Sequence, residues 1–338
     1  MTGMSPRQRV LATLNGEATD RPPISFWGHV YDRESSAADL VAHTLERWQR
    51  HRWDWVKLNP RKHYHVEPWG VRYDYSRVPE SKPFVSAYPV HTVADWDGIG
   101  EQPHDAGALG EQLQAVRELR AALPADVPLL QTVFTPIAIL AELTEPPTAL
   151  RAALTTDPAR IMRALEAVTR TFERYVTDVM RAGADGIYLA TLDWGSRSFL
   201  TPDVLRTWSR PYDLRLLAAA GASPYHTLHV CKGDALLFEF ADYPVGAFSW
   251  DATSPDNPSL AEGLARLKGA VVGGLGHETD LQHGPEAALA AYRRALAATG
   301  ARRWMVAPGC SMPPQTPEDT LSALRNEVER APAVGGRS

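Results

Sequence analysis

Eight short runs rich in β-branched and aromatic residues recur along this 338-residue chain, and helical segments separate most of them. Each helical segment has apolar residues at three- and four-residue spacing, as amphipathic helices do. Eight strand and helix units predict one (β/α)8 barrel over residues 1–330, with residues 331–338 as a flexible tail. The runs are PPISFWG (22–28), DWVKLNP (54–60), LLQTVFT (129–135), DGIYLAT (185–191), YHTLHVC (225–231), VGAFSWD (245–251), AVVGGLG (270–276) and RWMVAPGC (303–310).

Two helices show how the sequence encodes these elements. The segment SPRQRVLATLNG predicts a helix with Ser5 as its cap, Pro6 in its first turn and Gly16 as its stop. A longer helix starts at TDPARIMRALEAV. Its predicted core-facing stripe consists of Ile161, Met162, Leu165, Val168, Phe172, Val176 and Val179.

Two segments depart from the simple alternation. Residues 62–105, rich in proline and aromatic residues, predict a loop or hairpin inserted after the second strand and lying over the barrel mouth. The glycines of VVGGLG form neither G-x-G-x-x-G nor G-x-x-x-x-G-K. We therefore interpret Gly273 and Gly274 as close-packing positions of the seventh strand.

Composition narrows the function classes. A formal net charge of −5 gives no basic field for nucleic acid or an anionic membrane surface. The first sixteen residues lack the apolar core of a signal peptide, and no apolar run is long enough to span a bilayer. We expect a cytoplasmic protein, in which the two cysteines are thiols, metal ligands or nucleophiles rather than a disulfide.

The two cysteines fall at predicted strand ends. His229 and Cys231, in LHVCKGD, end the fifth strand, and Cys310 ends the eighth. Strand ends converge on the carboxyl-terminal face of such a barrel, and residues i and i+2 of a strand point the same way. Two thiolates and an imidazole suit Zn²⁺ with an exchangeable fourth position. Each residue alone would fit a hydrogen-bonded core histidine or a small buried hydrophobe, but the three together favour a metal site.

Four stretches resemble the uroporphyrinogen decarboxylase superfamily over almost the whole chain. The H-x-C…C set resembles its zinc-dependent branch, the corrinoid:thiol methyltransferases, and is similar to the zinc site of cobalamin-independent methionine synthase. The resemblance implies transfer of a methyl group from methylcobalamin, or from a corrinoid-binding protein, to a small thiol activated as a zinc-bound thiolate. The stretches are MSPRQRVLATLNGEATDRPPISFW, QTVFTPIAI, LHVCKGD and MVAPGCSMPPQTPEDTLSAL.

The chain also departs from the porphyrinogen decarboxylases. Those enzymes have R-Q-A-G-R after the first strand and F-S-D after the second, whereas this chain has WGHVYDRE and KLNPRKHYH. A polycarboxylate tetrapyrrole would therefore lack its main anchors. A decarboxylase (lyase) acting on a non-porphyrin carboxylate is the alternative function, and a barrel that only binds a ligand is a third.

Further site residues follow from the strand ends. Asp251 ends the sixth strand, and the resemblance to methionine synthase suggests it as the fourth zinc ligand; an N-cap or a rim hydrogen-bond acceptor is the equal alternative. Glu239 competes by position but falls within a predicted helix. Asp193 and Glu278 are the catalytic candidates. The cofactor-binding candidates are His29, Asn59, Phe134, Trp194 and His277. For all of these residues, the alternative role is rim hydrogen bonding or core packing.

Overall fold

The computed structural model describes residues 3–75 and 78–330, so the predicted tail at 331–338 lies outside the described residues. Its strands are β1 Val56–Leu58, β2 Arg72–Asp74, β3 Phe84–Ala87, β4 Leu129–Phe134, β5 Gly186–Ala190, β6 Thr227–Val230, β7 Ala247–Trp250, β8 Ala270–Leu275 and β9 Trp304–Pro308. Its α-helices are α1 Pro6–Asn15, α2 Ala37–His51, α3 Gly107–Ala122, α4 Pro136–Ala141, α5 Ala149–Thr156, α6 Pro158–Arg181, α7 Pro202–Val204, α8 Arg210–Ala220, α9 Leu260–Arg266, α10 Pro285–Thr299 and α11 Glu318–Arg330.

Seven of the strands form one curled parallel sheet, in the order β1-β4-β5-β6-β7-β8-β9. Each strand pairs with the next one along the chain in this order, as helical crossovers between parallel strands require. The large apolar cluster includes buried residues of the helices and of the sheet. A second cluster includes Val10, Trp27, Trp55, Tyr188 and Met305. The parallel α/β class predicted from the sequence is confirmed.

The first predicted strand, residues 22–28, is not a regular strand in this structure. Ile24 and Gly28 make isolated parallel bridges with Val306 and Met312, and the Asp54 amide donates to the Ile24 carbonyl over 3.0 Å. Two prolines open the segment and have no N–H to donate, so a continuous ladder cannot form there. This segment therefore contacts both edges of the sheet, and closure into eight regular strands stays a prediction.

Helix α1 has the predicted ends. The Ser5 side chain accepts a hydrogen bond from the Gln8 amide, and Gly16 adopts the left-handed conformation with φ of 74°. Both features confirm the predicted start and stop. Arg9 of this helix then reaches the segment just before β1.

The carboxylate of Asp54 precedes β1 and is almost completely buried. It accepts hydrogen bonds from Arg9 at 2.6 Å, from Arg21 at 2.6 Å and from the Ile24 amide at 2.9 Å. Arg9 also pairs with the half-buried carboxylate of Asp20 at 2.6 Å. We call Arg9, Asp20, Arg21 and Asp54 the basal ion cluster; it lies at the amino-terminal end of β1.

Helix α6 confirms the predicted stripe at six of seven positions, because all the stripe residues except Met162 are buried. The expectation for Met162 was wrong, since its exposed fraction is 52%. One residue advances a helix by about 100°, so Met162 cannot share the face of Ile161. A π-helical turn at Leu205–Ser209 lies between α7 and α8.

Between β1 and α3 lie two 3-10 turns, at Glu67–Trp69 and Val93–Gly98, and the antiparallel hairpin β2–β3. Further along the chain, Gly274 is a close-packing position as predicted: a Cβ there would lie 2.9 Å from Leu260 Cδ1 and 3.0 Å from Ala295 Cβ. Within the described residues, the helices include none with the length and apolar character needed to cross a bilayer.

Candidate metal centre and substrate cavity

A cavity of about 500 Å³ opens beside the carboxyl-terminal ends of the parallel strands. Parallel α/β sheets bind their ligands at this end, because loops from separate strands converge there. Every site residue predicted from the sequence contributes to the cavity wall. These residues are His29, Asn59, Phe134, Asp193, Trp194, His229, Cys231, Asp251, His277, Glu278 and Cys310.

His229, Cys231 and Cys310 lie together in this wall. His229 is in β6, Cys231 directly follows that strand, and Cys310 lies two residues after β9. One ligand atom from each residue lies within 4.8 Å of the other two. Tetrahedral zinc, with bonds of about 2.0–2.3 Å, places its ligand atoms about 3.5–3.8 Å apart, so small side-chain movements would close this set around an ion.

The imidazole of His229 is oriented by neighbouring strands. Its Nδ1 lies 3.1 Å from Ser249 Oγ, which also accepts a hydrogen bond from the Tyr188 hydroxyl at 2.9 Å. The Tyr188 ring stacks on the imidazole at 5.4 Å between centroids. Nε2 is buried and has no hydrogen-bond partner among the described residues. If Nδ1 donates its proton to Ser249, the Nε2 lone pair is free, and the site therefore fits a metal ion.

The two cysteines are free thiols that interact with each other. The hydrogen bond from Cys231 holds the pKa of the Cys310 thiol well below its usual range. The same hydrogen bond, and then burial, raise the pKa of Cys231. The same contact therefore shifts the two pKa values in opposite directions. A bound metal would displace the thiol protons, because coordinating thiols are deprotonated.

Asp251 borders the three residues but is not among the atoms grouped within 4.8 Å. Its Oδ1 accepts hydrogen bonds from the amide and hydroxyl of Thr253, at 3.0 and 2.6 Å. Its Oδ2 lies 3.6 Å from His277 Nδ1. A Cβ at Gly309 would lie 2.6 Å from Asp251 Oδ1, so this carboxylate packs directly beside the segment that carries Cys310.

In this conformation Asp251 has the contacts of the alternative role, a hydrogen-bond acceptor at the rim. Its ligation of a metal stays a prediction that requires the carboxylate to turn. The competitor Glu239 is outside the cavity wall and pairs with Arg206 at 3.1 Å. This pair is half-exposed, and the residue lies in a 3-10 turn rather than the predicted α-helix.

Other predicted residues have defined partners in the wall. His29 Nδ1 lies 2.8 Å from a Glu34 carboxylate oxygen. Asp193 pairs with Lys232 at 3.3 Å. Phe134 packs against the cavity from the end of β4. The structure brings these residues to one cavity, and their individual roles stay predictions.

Sequence reasoning missed Lys57, which also lines the cavity. Its Nζ donates to Asn59 Oδ1 at 2.7 Å and lies 4.9 Å from the Tyr188 ring centroid and 5.4 Å from that of Trp27. No carboxylate oxygen of the described residues is within 4.0 Å of it. Burial lowers the pKa of Lys57 to about 7, against the effect of the nearby thiols. The available signal was a charged residue inside an otherwise apolar strand.

The segment between β1 and α3 adds further groups that the sequence did not identify. His65 Nε2 lies 2.6 Å from a Glu142 carboxylate oxygen, while Nδ1 is buried without a partner among the described residues. Burial lowers the pKa of His65. Lys62 and Lys82 line the same wall, and the charge of Lys62, followed by burial, lowers the pKa of Lys82. No local sequence pattern indicates these contacts, because they join residues that are distant in the sequence, as His65 and Glu142 are.

Comparisons with known proteins agree with this architecture. The Methylcobamide:CoM methyltransferase MtaA of Methanosarcina barkeri is 23% identical over 246 residues, which cover 72% of this chain and 70% of that protein. A solved methyltransferase from Methanosarcina mazei has a TM-score of 0.78 at 20% identity and covers 96% of this chain and 99% of its own. A B12-independent methionine synthase from Shewanella sp. W3-18-1 has a TM-score of 0.57 at 16% identity, covering 87% and 86%.

The two solved structures show a shared fold, and the family is shown by a separate comparison. The model of the family described as Uroporphyrinogen decarboxylase (URO-D) matches residues 5–331, which is nearly the whole chain. The resemblance read from the sequence is therefore confirmed, and the chain belongs to the uroporphyrinogen decarboxylase family.

Proposed function

We propose that this chain is a corrinoid-dependent methyltransferase that transfers a methyl group to a small thiol, with the thiol held as a thiolate by zinc. The observation that carries the proposal is the convergence of His229, Cys231 and Cys310 within 4.8 Å in the wall of a 500 Å³ cavity. Similarity to the Methanosarcina barkeri methyltransferase supports the reaction class.

The roles of the chain's own residues follow from their contacts. His229 Nε2 and the two cysteine sulfurs would hold the ion, while Ser249 and Tyr188 keep the imidazole in position. Zinc, when bound, would supply a Lewis acid that keeps the sulfur of a bound thiol deprotonated near neutral pH. The cavity would bring the thiol and the methyl group of the donor together, which would remove much of the entropic barrier to transfer.

The proposed reaction balances without a redox partner. The cobalt–carbon bond of the donor would break with its electron pair remaining on cobalt, and the thiolate sulfur would supply the pair for the new sulfur–carbon bond. The thiol proton leaves to solvent. The donor is methylcobalamin or a corrinoid carried by a partner protein, and the acceptor is a small thiol.

The finer assignments are parts of the same proposal. Asp251 is the exchangeable fourth ligand, and Asp193 and Glu278 are the catalytic candidates at the rim. His29, Asn59, Phe134, Trp194 and His277 would contact the corrinoid or the acceptor. A cytoplasmic location would keep the thiols reduced. Residues 22–28 would serve as the first of eight barrel strands.

The test is a spectroscopic assay with methylcobalamin and a panel of thiols, in which loss of the cobalt–methyl bond changes the visible spectrum. We expect zinc-dependent demethylation by at least one thiol, and a rate lower by orders of magnitude in Cys231→Ala. Release of CO₂ from a carboxylated substrate, with no thiol or corrinoid supporting turnover, would establish the lyase instead.

A further inference from the structure

Lys57 has a buried amine with no carboxylate oxygen within 4.0 Å among the described residues. Its exposed fraction is 7%, and its ammonium contacts only the amide oxygen of Asn59 and the faces of Tyr188 and Trp27. A buried ammonium is strongly unfavourable unless an opposite charge compensates it. The cavity beside Lys57 is therefore expected to hold a negative charge in the working protein.

Lys57 is connected to both halves of the candidate metal centre. The Tyr188 ring contacts the ammonium with its π-face and also stacks on the His229 imidazole. On the other side, Asn59 Oδ1 accepts hydrogen bonds from Lys57 and from Ser311, which directly follows Cys310. The lysine is thus held beside the centre by rigid contacts from different strands.

The charges of the centre identify the missing counter-ion. A divalent ion with two thiolates and one imidazole is formally neutral, so an anionic fourth ligand makes the centre −1. We propose that Lys57 is the counter-ion of this anionic form, so that the centre prefers an anion, including a substrate thiolate, over a neutral fourth ligand. This inference rests on the metal site of the proposed function, and it assigns Lys57 as a positioning residue for charge.

Lys232 provides a matched control in the same cavity. It follows Cys231 directly and also carries a positive charge, but 65% of its side chain is exposed and Asp193 lies 3.3 Å away. Water and Asp193 already screen this charge. Removing it should therefore change ligand preference much less than removing the charge of Lys57.

The experiment uses full-length protein loaded with Co²⁺, whose visible bands report the ligands of the ion. Azide as an anion, imidazole as a neutral ligand and 2-mercaptoethanol as a thiol are titrated at pH 6.5, below the pKa of Lys57, into wild type, Lys57→Met and Lys232→Met. The affinity for imidazole is calculated for its unprotonated form. In Lys57→Met we expect azide and thiol affinities to fall about tenfold or more, with imidazole affinity changing less than about twofold. Lys232→Met should change all three by less than about threefold.

The outcomes separate this inference from the proposed function. If Lys57→Met binds one Co²⁺ but keeps wild-type azide affinity, or loses azide and imidazole affinity equally, the counter-ion role is overturned. If wild type binds no Co²⁺, the metal site itself fails. Should Lys57→Met not fold, Asn59→Ala takes its place, because it removes the oxygen that holds Nζ. This variant should weaken azide binding more than imidazole binding. An equal change in the two affinities would also overturn the role.

Discussion

Asp54 precedes β1 and Lys57 lies within it, and the fold surrounds these two charged residues in opposite ways. Asp54, at the amino-terminal end, accepts hydrogen bonds from two arginines and a backbone amide. Lys57, which lines the cavity at the carboxyl-terminal ends of the strands, has one amide oxygen and two ring faces. The difference indicates that Asp54, before β1, stabilises the fold, whereas the charge of Lys57 is available to a ligand in the cavity at the carboxyl-terminal ends of the strands.

Other polar atoms around the cavity follow the pattern of Lys57. His229 Nε2, Asn59 Nδ2, His63 Nε2 and His65 Nδ1 are buried and have no hydrogen-bond partner among the described residues. Buried polar atoms normally have partners, since an unpaired one costs about 1–3 kcal/mol. A ligand or ion that pairs with them would recover this free energy, which favours binding at this end.

The largest effect is expected from removing a metal ligand. Cys310→Ser should lose most of the bound zinc and lower the methyl-transfer rate by about a thousandfold or more, because the three ligands hold the ion jointly. Metal analysis and the methylcobalamin assay measure these effects, with Ser311→Ala as a neighbouring variant that keeps the metal. Full zinc content in Cys310→Ser would contradict the assignment.

The next largest effect concerns the basal ion cluster. Asp54→Asn should lower the free energy of unfolding by about 3–5 kcal/mol, because it leaves buried guanidinium groups without their carboxylate. Denaturant unfolding measures the change, and Asp20→Asn, at a half-exposed carboxylate, should lower it by only about 1 kcal/mol. Equal effects of the two substitutions would show that the deeper burial of Asp54 does not decide its contribution to stability.

A smaller effect is expected at Ser249, which orients the proposed metal ligand His229. Ser249→Ala should weaken zinc affinity about 10- to 100-fold, because Nδ1 of His229 loses the group that fixes its orientation. Competition with a chromogenic chelator measures the affinity. Ser25→Ala is the control: this serine is equally buried but donates to the Trp55 carbonyl, so zinc affinity should not change. A wild-type affinity in Ser249→Ala would show that the imidazole is held by packing alone.

The smallest effect should also have the opposite sign. Lys57→Met replaces a buried charge with an apolar chain of similar length, so the free energy of unfolding of the metal-free protein should stay unchanged or rise by about 1–2 kcal/mol. Denaturant unfolding of wild type and variant, both stripped of metal, gives the comparison with Asp54→Asn. A loss of several kcal/mol would show that Lys57 stabilises the fold, as Asp54 does.

Local patterns accounted for much of the fold and for the candidate ligands. Alternation of strands and helices gave the parallel α/β class, and the i, i+2 spacing placed His229 and Cys231 on one face. The position of Cys310 followed from the convergence of parallel strand ends. The α/β class was confirmed because it depends on chain periodicity, and the three residues lie together because parallel strand ends converge; their role as metal ligands stays a prediction.

The remaining features depend on contacts between distant segments. The partner of His65 is Glu142, 77 residues away, and Lys62 and Lys82 reach the cavity through an irregular segment. The orientation of Asp251 is set by Thr253, whose hydrogen bonds compete with metal ligation. Within a helix, an error of one position in a predicted buried stripe assigns an exposed side chain to the core, as Met162 shows.

Trp27 gives the cavity an optical reporter of its own. Its indole lies beside the Lys57 ammonium and forms part of the wall, together with that of Trp194. Corrinoids absorb in the near ultraviolet, where tryptophan emits, so a corrinoid in the cavity would take up excitation energy from these two indoles. A colourless thiol would alter their emission only through local polarity. Steady-state fluorescence of the unlabelled protein could therefore distinguish occupancy by the coloured donor from occupancy by the acceptor.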